Sequence, residues 1–374
     1  MPPWPLYFAS RGNNDEPAIG LGVAERRCLG SEFAGTPSFS GKGGSQRGAR
    51  NRQPIIPSLI DLQYRLEYAL LRVGLAPFRL LPVDWAVGLF ARAWRITGPR
   101  SRRHARALSN LQLAFPEMTA AERGGIALAM WENMGRVVAE MMLLDRILKQ
   151  PERMEIVNQE VLTRRMGQPG PQIGVTLHMG NWELAAWGCA ACGGKPAGVY
   201  RPLVNPYVDR RLRKQREPLY SGGLFTKGGP HDNGPAGQQT ARRMTDFVRQ
   251  GGDLAFVIDQ VDRRGIAIPF FGGEARFTPV PAMIARHVGA RIWMARCLRI
   301  GKGTRFRIEL KELKVKRTKN REDDIRDITC AIFSQFESWI REAPEQWLWF
   351  NTRWVHESPT PTERGAGAAS PVAP

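Results

Sequence analysis

Apolar residues recur at helical spacing across residues 58–96, SLIDLQYRLEYALLRVGLAPFRLLPVDWAVGLFARAWRI. Pro77, Pro82 and Asp84 break the pattern, and Arg65, Arg72, Arg79 and Arg92 interrupt it. No uncharged apolar run reaches the ~18 residues that a membrane span needs. The spacing predicts two amphipathic helices, suited either to lying in a membrane interface or to packing as an ordinary hairpin on the core. The next segment, GPRSRRHARALSNLQLAF (98–115), carries an arginine cluster that suits lipid phosphates or a solvated helix face. Residues 120–148 predict a helix with a Met- and Leu-rich stripe of the kind that packs into a core.

Beyond residue 150 the period changes. Short apolar runs at 173–177 (IGVTL), 197–200 (AGVY), 254–258 (LAFVI), 291–298 (RIWMARCL) and 304–310 (TRFRIEL) predict strands. Helices are predicted over 182–191, 205–218, 238–250, 280–288 and 321–342. Strands alternating with helices imply an α/β fold: one domain with a largely parallel central sheet flanked by helices, preceded by an amphipathic N-terminal helical hairpin. Residues 1–54, rich in Gly, Ser, Pro and Arg, predict a disordered extension without the apolar core of a secretory signal. Residues 55–97 form the membrane-associating helical segment, 98–357 the folded domain, and 358–374 a disordered tail.

Charge narrows the partners. The formal net charge is +19, from 54 Lys and Arg against 35 Asp and Glu. That balance favours nucleic acid, an anionic membrane surface, or an acidic protein or phosphorylated substrate. No zinc-finger, RRM or helix-turn-helix signature supports nucleic acid. Five cysteines (Cys28, Cys189, Cys192, Cys297 and Cys330) are too few and too odd for a disulfide framework, and point to a reducing compartment. Cys189 and Cys192 form a CxxC, but with no second pair they read as small helix-packing residues rather than a zinc or redox site. None of the five histidines has HExxH spacing, and no metal site is expected.

The candidate chemistry lies in GVTLHMGNWELAAWG, residues 174–188. A buried strand ends at His178, Gly180 permits a tight turn, Asn181 suits an N-cap, and Glu183 falls in the first helical turn. In open α/β sheets, ligands bind at the carboxyl ends of strands. The spacing predicts that Glu183 folds back toward His178, fixes one tautomer and frees the other ring nitrogen to take a proton. No serine or cysteine nearby suits a nucleophile, so the hydroxyl would be the substrate's. The plainer reading has Glu183 complementing the helix dipole and His178 capping a carbonyl.

Four blocks follow in order: HMGNWE, GVYRPLVNPYVDRRLRKQRE, AFVIDQVDRRGIAIPFFGGEARFTPVPAMIARHVGA and PEQWLWFNTRW. Together they resemble the bacterial lipid A biosynthesis acyltransferases of the lysophospholipid acyltransferase superfamily, over about residues 58–356. The resemblance implies that His178 and Glu183 are the catalytic pair and assigns roles to Arg201, Arg216 and Asp259. Arg216 could grip a glycolipid phosphate or belong to a solvated basic face; Asp259 could orient an arginine or cap a turn. Gln260 and Asn181 are further candidate substrate contacts. Thr278 is a candidate N-cap, with Pro279 in the first turn of the next helix. Phe270, Phe271 and Phe277 either wall an acyl pocket or form core. Trp347, Trp349 and Trp354 either pack or sit at a lipid interface.

The resemblance further implies fatty acyl transfer from the phosphopantetheine thioester of acyl carrier protein to a hydroxyl of a lipid A precursor, with no tightly bound cofactor. The expected place is the inner membrane, with the catalytic domain on its cytoplasmic face. Acyl carrier protein, the glycolipid and an anionic membrane surface are the expected partners. Residues 296–321, with eleven Lys and Arg, offer a docking face or a solvated strand pair. Transfer to another membrane lipid, and a basic nucleic-acid- or lipid-binding protein without catalysis, are the rival readings.

Overall fold

The computed structural model describes residues 59–226, 235–301, 303–315, 317–351 and 354. The predicted disordered segments, 1–54 and 358–374, lie outside them. The chain divides into two compact units, Met1–Gln63 and Tyr64–Pro374. Of the first, only the opening residues of helix α1 (Leu59–Leu80) are described; the sheet and the helices around it belong to the second.

Helices α2 (Val83–Thr97), α3 (Arg102–Ala114), α4 (Ala120–Met142) and α5 (Leu144–Ile147) come next. The Thr119 side chain accepts from the Glu122 backbone N–H while the Glu122 carboxylate accepts from the Thr119 N–H, so α4 starts on a capping box. Helix α2 buries Val83, Ala86, Val87 and Ala91. Gly135 lets α2 approach α4: a Cβ there would stand 2.6 Å from the Phe90 carbonyl oxygen. The opposite face is apolar as well. Leu66, Leu70, Val73 and Leu80 of α1, and Trp85, Leu89 and Ile96 of α2, stand in solvent. Among the described residues no helix is long and apolar enough to cross a membrane.

The α/β body adds β1 (Met154–Ile156), α6 (Gln159–Met166), β2 (Gln172–Gly180), α7 (Leu184–Ala191), β3 (Pro196–Tyr200), α8 (Pro206–Arg216), β4 (Gly223–Thr226), α9 (Pro235–Arg249) and β5 (Asp253–Val257). Then come β6 (Val261–Phe270), β7 (Gly273–Phe277), α10 (Val280–Val288), β8 (Arg291–Arg299), β9 (Phe306–Leu313) and α11 (Arg321–Glu342). Seven strands make one sheet in the order β1-β9-β8-β2-β5-β3-β4, and β6 with β7 forms a separate antiparallel hairpin. Within the main sheet only β8–β9 is antiparallel. Strand β2 is central, and most of its residues on both faces are buried, as parallel strands covered by helices require. The chain leaves β2 for β3 and β4, returns to β5, and later adds β8 on the other side of β2. That reversal is where an open sheet forms its binding crevice.

The predicted helix over 280–288 matches α10, but its cap does not: Pro279 holds the N-cap position and the Thr278 hydroxyl is buried with no partner among the described residues. Behind the hairpin, Phe277 stacks on Phe333 of α11 at 3.8 Å, and Phe270 and Phe271 meet edge-on at 4.9 Å. These three phenylalanines are buried in the core. Arg296 lies buried on Glu309 and Glu342, and Arg299 on Glu140, so these two arginines of the basic stretch 296–321 do not face solvent.

Helix α11 docks through Asp324, which accepts from Arg286 and Thr318. Burial pushes this carboxyl up, but those hydrogen bonds outweigh it and hold it below the usual carboxylate range. A depressed folded value stabilises fully above the unfolded value of ~3.9 and is lost as pH falls through the folded value. Asp324→Asn is therefore expected to lower the melting temperature at pH 7 and to flatten its decline on acidification, read by calorimetry across pH 3–7.

Candidate active site

Strand β2 ends in a forced turn. Gly180 has φ 55°, and a Cβ on it would lie 1.8 Å from the Cys297 carbonyl oxygen. Only glycine fits both the left-handed backbone and that approach. The turn carries His178, Asn181, Trp182 and Glu183 at the sheet's carboxyl edge.

The carboxylate on the imidazole is Asp259, just past β5, and not Glu183 as the spacing predicts. Asp259 Oδ1 lies 2.6 Å from His178 Nδ1, and Oδ2 accepts the His178 backbone N–H at 3.0 Å. Strands β2 and β5 are hydrogen-bonded neighbours in parallel register, so their ends emerge side by side. A carboxylate only accepts, so Nδ1 carries a proton, and in the neutral ring the lone pair falls on Nε2. Asp259 is 1% exposed and the His178 side chain 15%. The Trp182 ring stands edge-on to His178 at 5.0 Å.

Glu183 turns instead to Arg216, at the end of α8, pairing with its Nε at 3.0 Å and with Nη2. Burial lowers the Arg216 guanidinium, but the Glu183 charge beside it raises it further, so it stays above its ordinary value. Arg216 is thus the inward residue of a helix whose Arg210, Arg213 and Lys214 are exposed. Tyr220 is half-buried beside the pair, and desolvation followed by the Glu183 charge pushes its phenol up.

Asn181 does not cap helix α7, whose N-cap position is Glu183. It is 1% exposed and donates to Glu140 of α4 at 2.9 Å. Glu140 also holds Arg299, at the end of β8, through both terminal guanidinium nitrogens. Asn133 of α4 donates to the carbonyls of Gly180 and Gln346, each at 3.2 Å. The turn after β2 therefore rests on a buried polar platform built from α4, β8 and the C-terminal segment. Sequence reading missed Asn133, Glu140, Arg299 and Gln346. A signal existed: Asn133 and Glu140 sit seven residues apart on the otherwise apolar stripe of α4.

Arg201 and Gln260 are exposed, just beyond the adjacent strands β3 and β5. The aromatic C-terminal segment is buried rather than lipid-facing: Trp347 and Trp349 are fully enclosed and Trp354 nearly so. Cys189 lies within α7 and Cys192 ends it; burial pushes the Cys189 thiol up to about 12. Among the described residues no cluster of His, Cys, Asp and Glu could hold a metal ion. An apolar cavity runs beside Trp182 between the sheet and α7, along β2 from Gln172 to Thr176 and along β5 from Asp253 to Val257. At ~3.3 Å per residue that is a course of roughly 13 Å.

An imidazole on a buried carboxylate, at a strand's carboxyl end, has the geometry of a general-base site. The sequence pattern of the bacterial lipid A biosynthesis acyltransferases matches residues 57–356, and the chain belongs to that family. It also resembles a phosphatidylinositol mannoside acyltransferase of Mycolicibacterium smegmatis, 26% identical over 179 residues. That match covers 48% of this chain and 55% of the relative, so the chain spans about half the length of the curated protein it matches.

The Glu183–Arg216 pair is separable from the base. Arg216→Met strands a buried carboxylate and is expected to cost about 3 kcal/mol of stability, whereas the double variant Glu183→Leu/Arg216→Met recovers most of it. Denaturant unfolding of the three proteins checks this.

Proposed function

We propose that this protein transfers a fatty acyl group from the phosphopantetheine thioester of acyl carrier protein to a hydroxyl of a lipid A precursor. The observation that carries the reading is the contact between His178 Nδ1 and the buried Asp259 carboxylate. His178 Nε2 takes the proton of the acceptor hydroxyl. The hydroxyl oxygen attacks the thioester carbonyl and forms the new C–O bond. The C–S bond then breaks, and the departing thiolate takes the proton from the imidazolium. Asp259 holds the ring and stabilises its charge. In this assignment Glu183 acts through Arg216, fixing the inner end of α8, rather than through the histidine.

The apolar lining of the cavity beside Trp182 suits part of an acyl chain. Exposed Arg201, Arg210, Arg213 and Lys214 offer phosphate contacts for an anionic glycolipid. The bare apolar face of α1 and α2, flanked by exposed Arg72, Arg92 and Arg95, fits helices lying in an anionic interface rather than crossing it. On this reading the catalytic domain works at the cytoplasmic face of the inner membrane, where acyl carrier protein is available. The net charge of +19 would speed encounter with both acidic partners at low salt.

A second reading, a different phosphate-bearing glycolipid as acceptor, is favoured by the likeness to the phosphatidylinositol mannoside enzyme. Both readings need the same base. The purified protein, given acyl carrier protein thioester and either acceptor, is expected to lose at least ~100-fold in rate as His178→Ala or Asp259→Asn, with folding intact. Wild-type turnover in folded His178→Ala would overturn the general-base assignment. Mass spectrometry of lipid extracts from cells with and without the protein identifies the acceptor that lacks one acyl chain.

A further inference from the structure

After α11 the chain passes through a short turn, Pro344–Gln346, and crosses the carboxyl end of β2. Trp347 makes an antiparallel bridge with Met179, and the Leu348 N–H donates to the His178 carbonyl at 3.3 Å. This crossing lays the Trp347 indole N–H on Asp259 Oδ2 at 2.7 Å. Trp347 is fully buried and Asp259 is 1% exposed.

The chemistry of that donor matters. An indole N–H is neutral, donates only, and does not titrate. It satisfies a lone pair of the buried carboxylate without cancelling its charge. Glu183 shows the contrast, since its partner is the cation Arg216. A carboxylate neutralised by guanidinium has little charge left for an imidazolium, whereas a neutral donor leaves that charge in place. The indole also restrains rotation of the carboxylate, so that Oδ1 stays on Nδ1.

We infer that Trp347 is a positioning residue for the general base, acting through Asp259 to fix the tautomer and orientation of His178. The inference rests on His178 being that base. It assigns to the aromatic C-terminal segment a part in turnover, beyond filling the core.

Trp347→Phe removes the donor and keeps an apolar ring. The expected result is a roughly tenfold fall in kcat, the scale of one lost hydrogen bond to a charged group, with KM for donor and acceptor within about twofold. In an Asp259→Asn background the same substitution should change residual kcat by less than about twofold, because the group it acts through is already altered. Trp349→Phe is the control: it removes an indole N–H from the same segment, one that donates to the Pro344 carbonyl and not to Asp259, and should keep wild-type kcat. Where Trp347→Phe does not fold, 3-benzothienylalanine at position 347 preserves the bicyclic shape without the donor and takes its place. Wild-type kcat in the folded 347 variant, or an equal loss with and without Asp259, overturns the inference. Loss of activity in His178→Ala alongside wild-type kcat at position 347 sinks this proposal alone; activity retained in His178→Ala sinks the general-base reading beneath it.

Discussion

A carboxylate at 1% exposure must be met by donors or take up a proton, and the site is arranged around meeting Asp259. Its donors include the His178 ring and backbone N–H at the end of β2 and the Trp347 indole of the C-terminal segment. Those elements are far apart in the chain and meet only because β2 and β5 are paired in the sheet and the segment after α11 crosses them. The packing that closes the core thus also determines which nitrogen of His178 holds its proton.

Two carboxylates share this edge of the sheet and have different fates. Glu183 faces a guanidinium and forms a closed ion pair that ties α7 to α8. Asp259 meets an imidazole, a ring that can change protonation, and the neutral indole N–H of Trp347. Two acids of the same chemistry thus sit in separate electrostatic environments, one against a fixed cation and one against a titratable ring.

Beneath the turn, Glu140 and Arg299 are almost wholly buried as a pair. Such pairs add little net stability, because desolvation offsets the attraction. Their contribution here is geometric. With Asn133 and Gln346 they hold the carbonyl of Gly180, the side chain of Asn181 and the end of β8 in one arrangement. An apolar platform of equal volume would leave those backbone groups unpaired.

Much of the fold was legible in order. Period-two and period-3.6 patterns located β2, β3, β5, β8, α10 and α11 to within a few residues, because buried strands and amphipathic helices repeat at distances the chain displays directly. The short edge strands β1 and β4 and the β6–β7 hairpin carried no such repeat and were not expected. His178, Arg216 and Asp259 could be singled out because their blocks resemble a known family, and Gly180 because the strand must turn. Their pairing could not. Local spacing put Glu183 nearest to His178, but the carboxylate that meets the ring comes from a neighbouring strand 81 positions away. Periodicity and the identity of the reactive groups are properties of nearby residues, so the chain alone determines them. Which acid touches which base depends on strand order and on the path of the C-terminal segment, and only tertiary packing decides those.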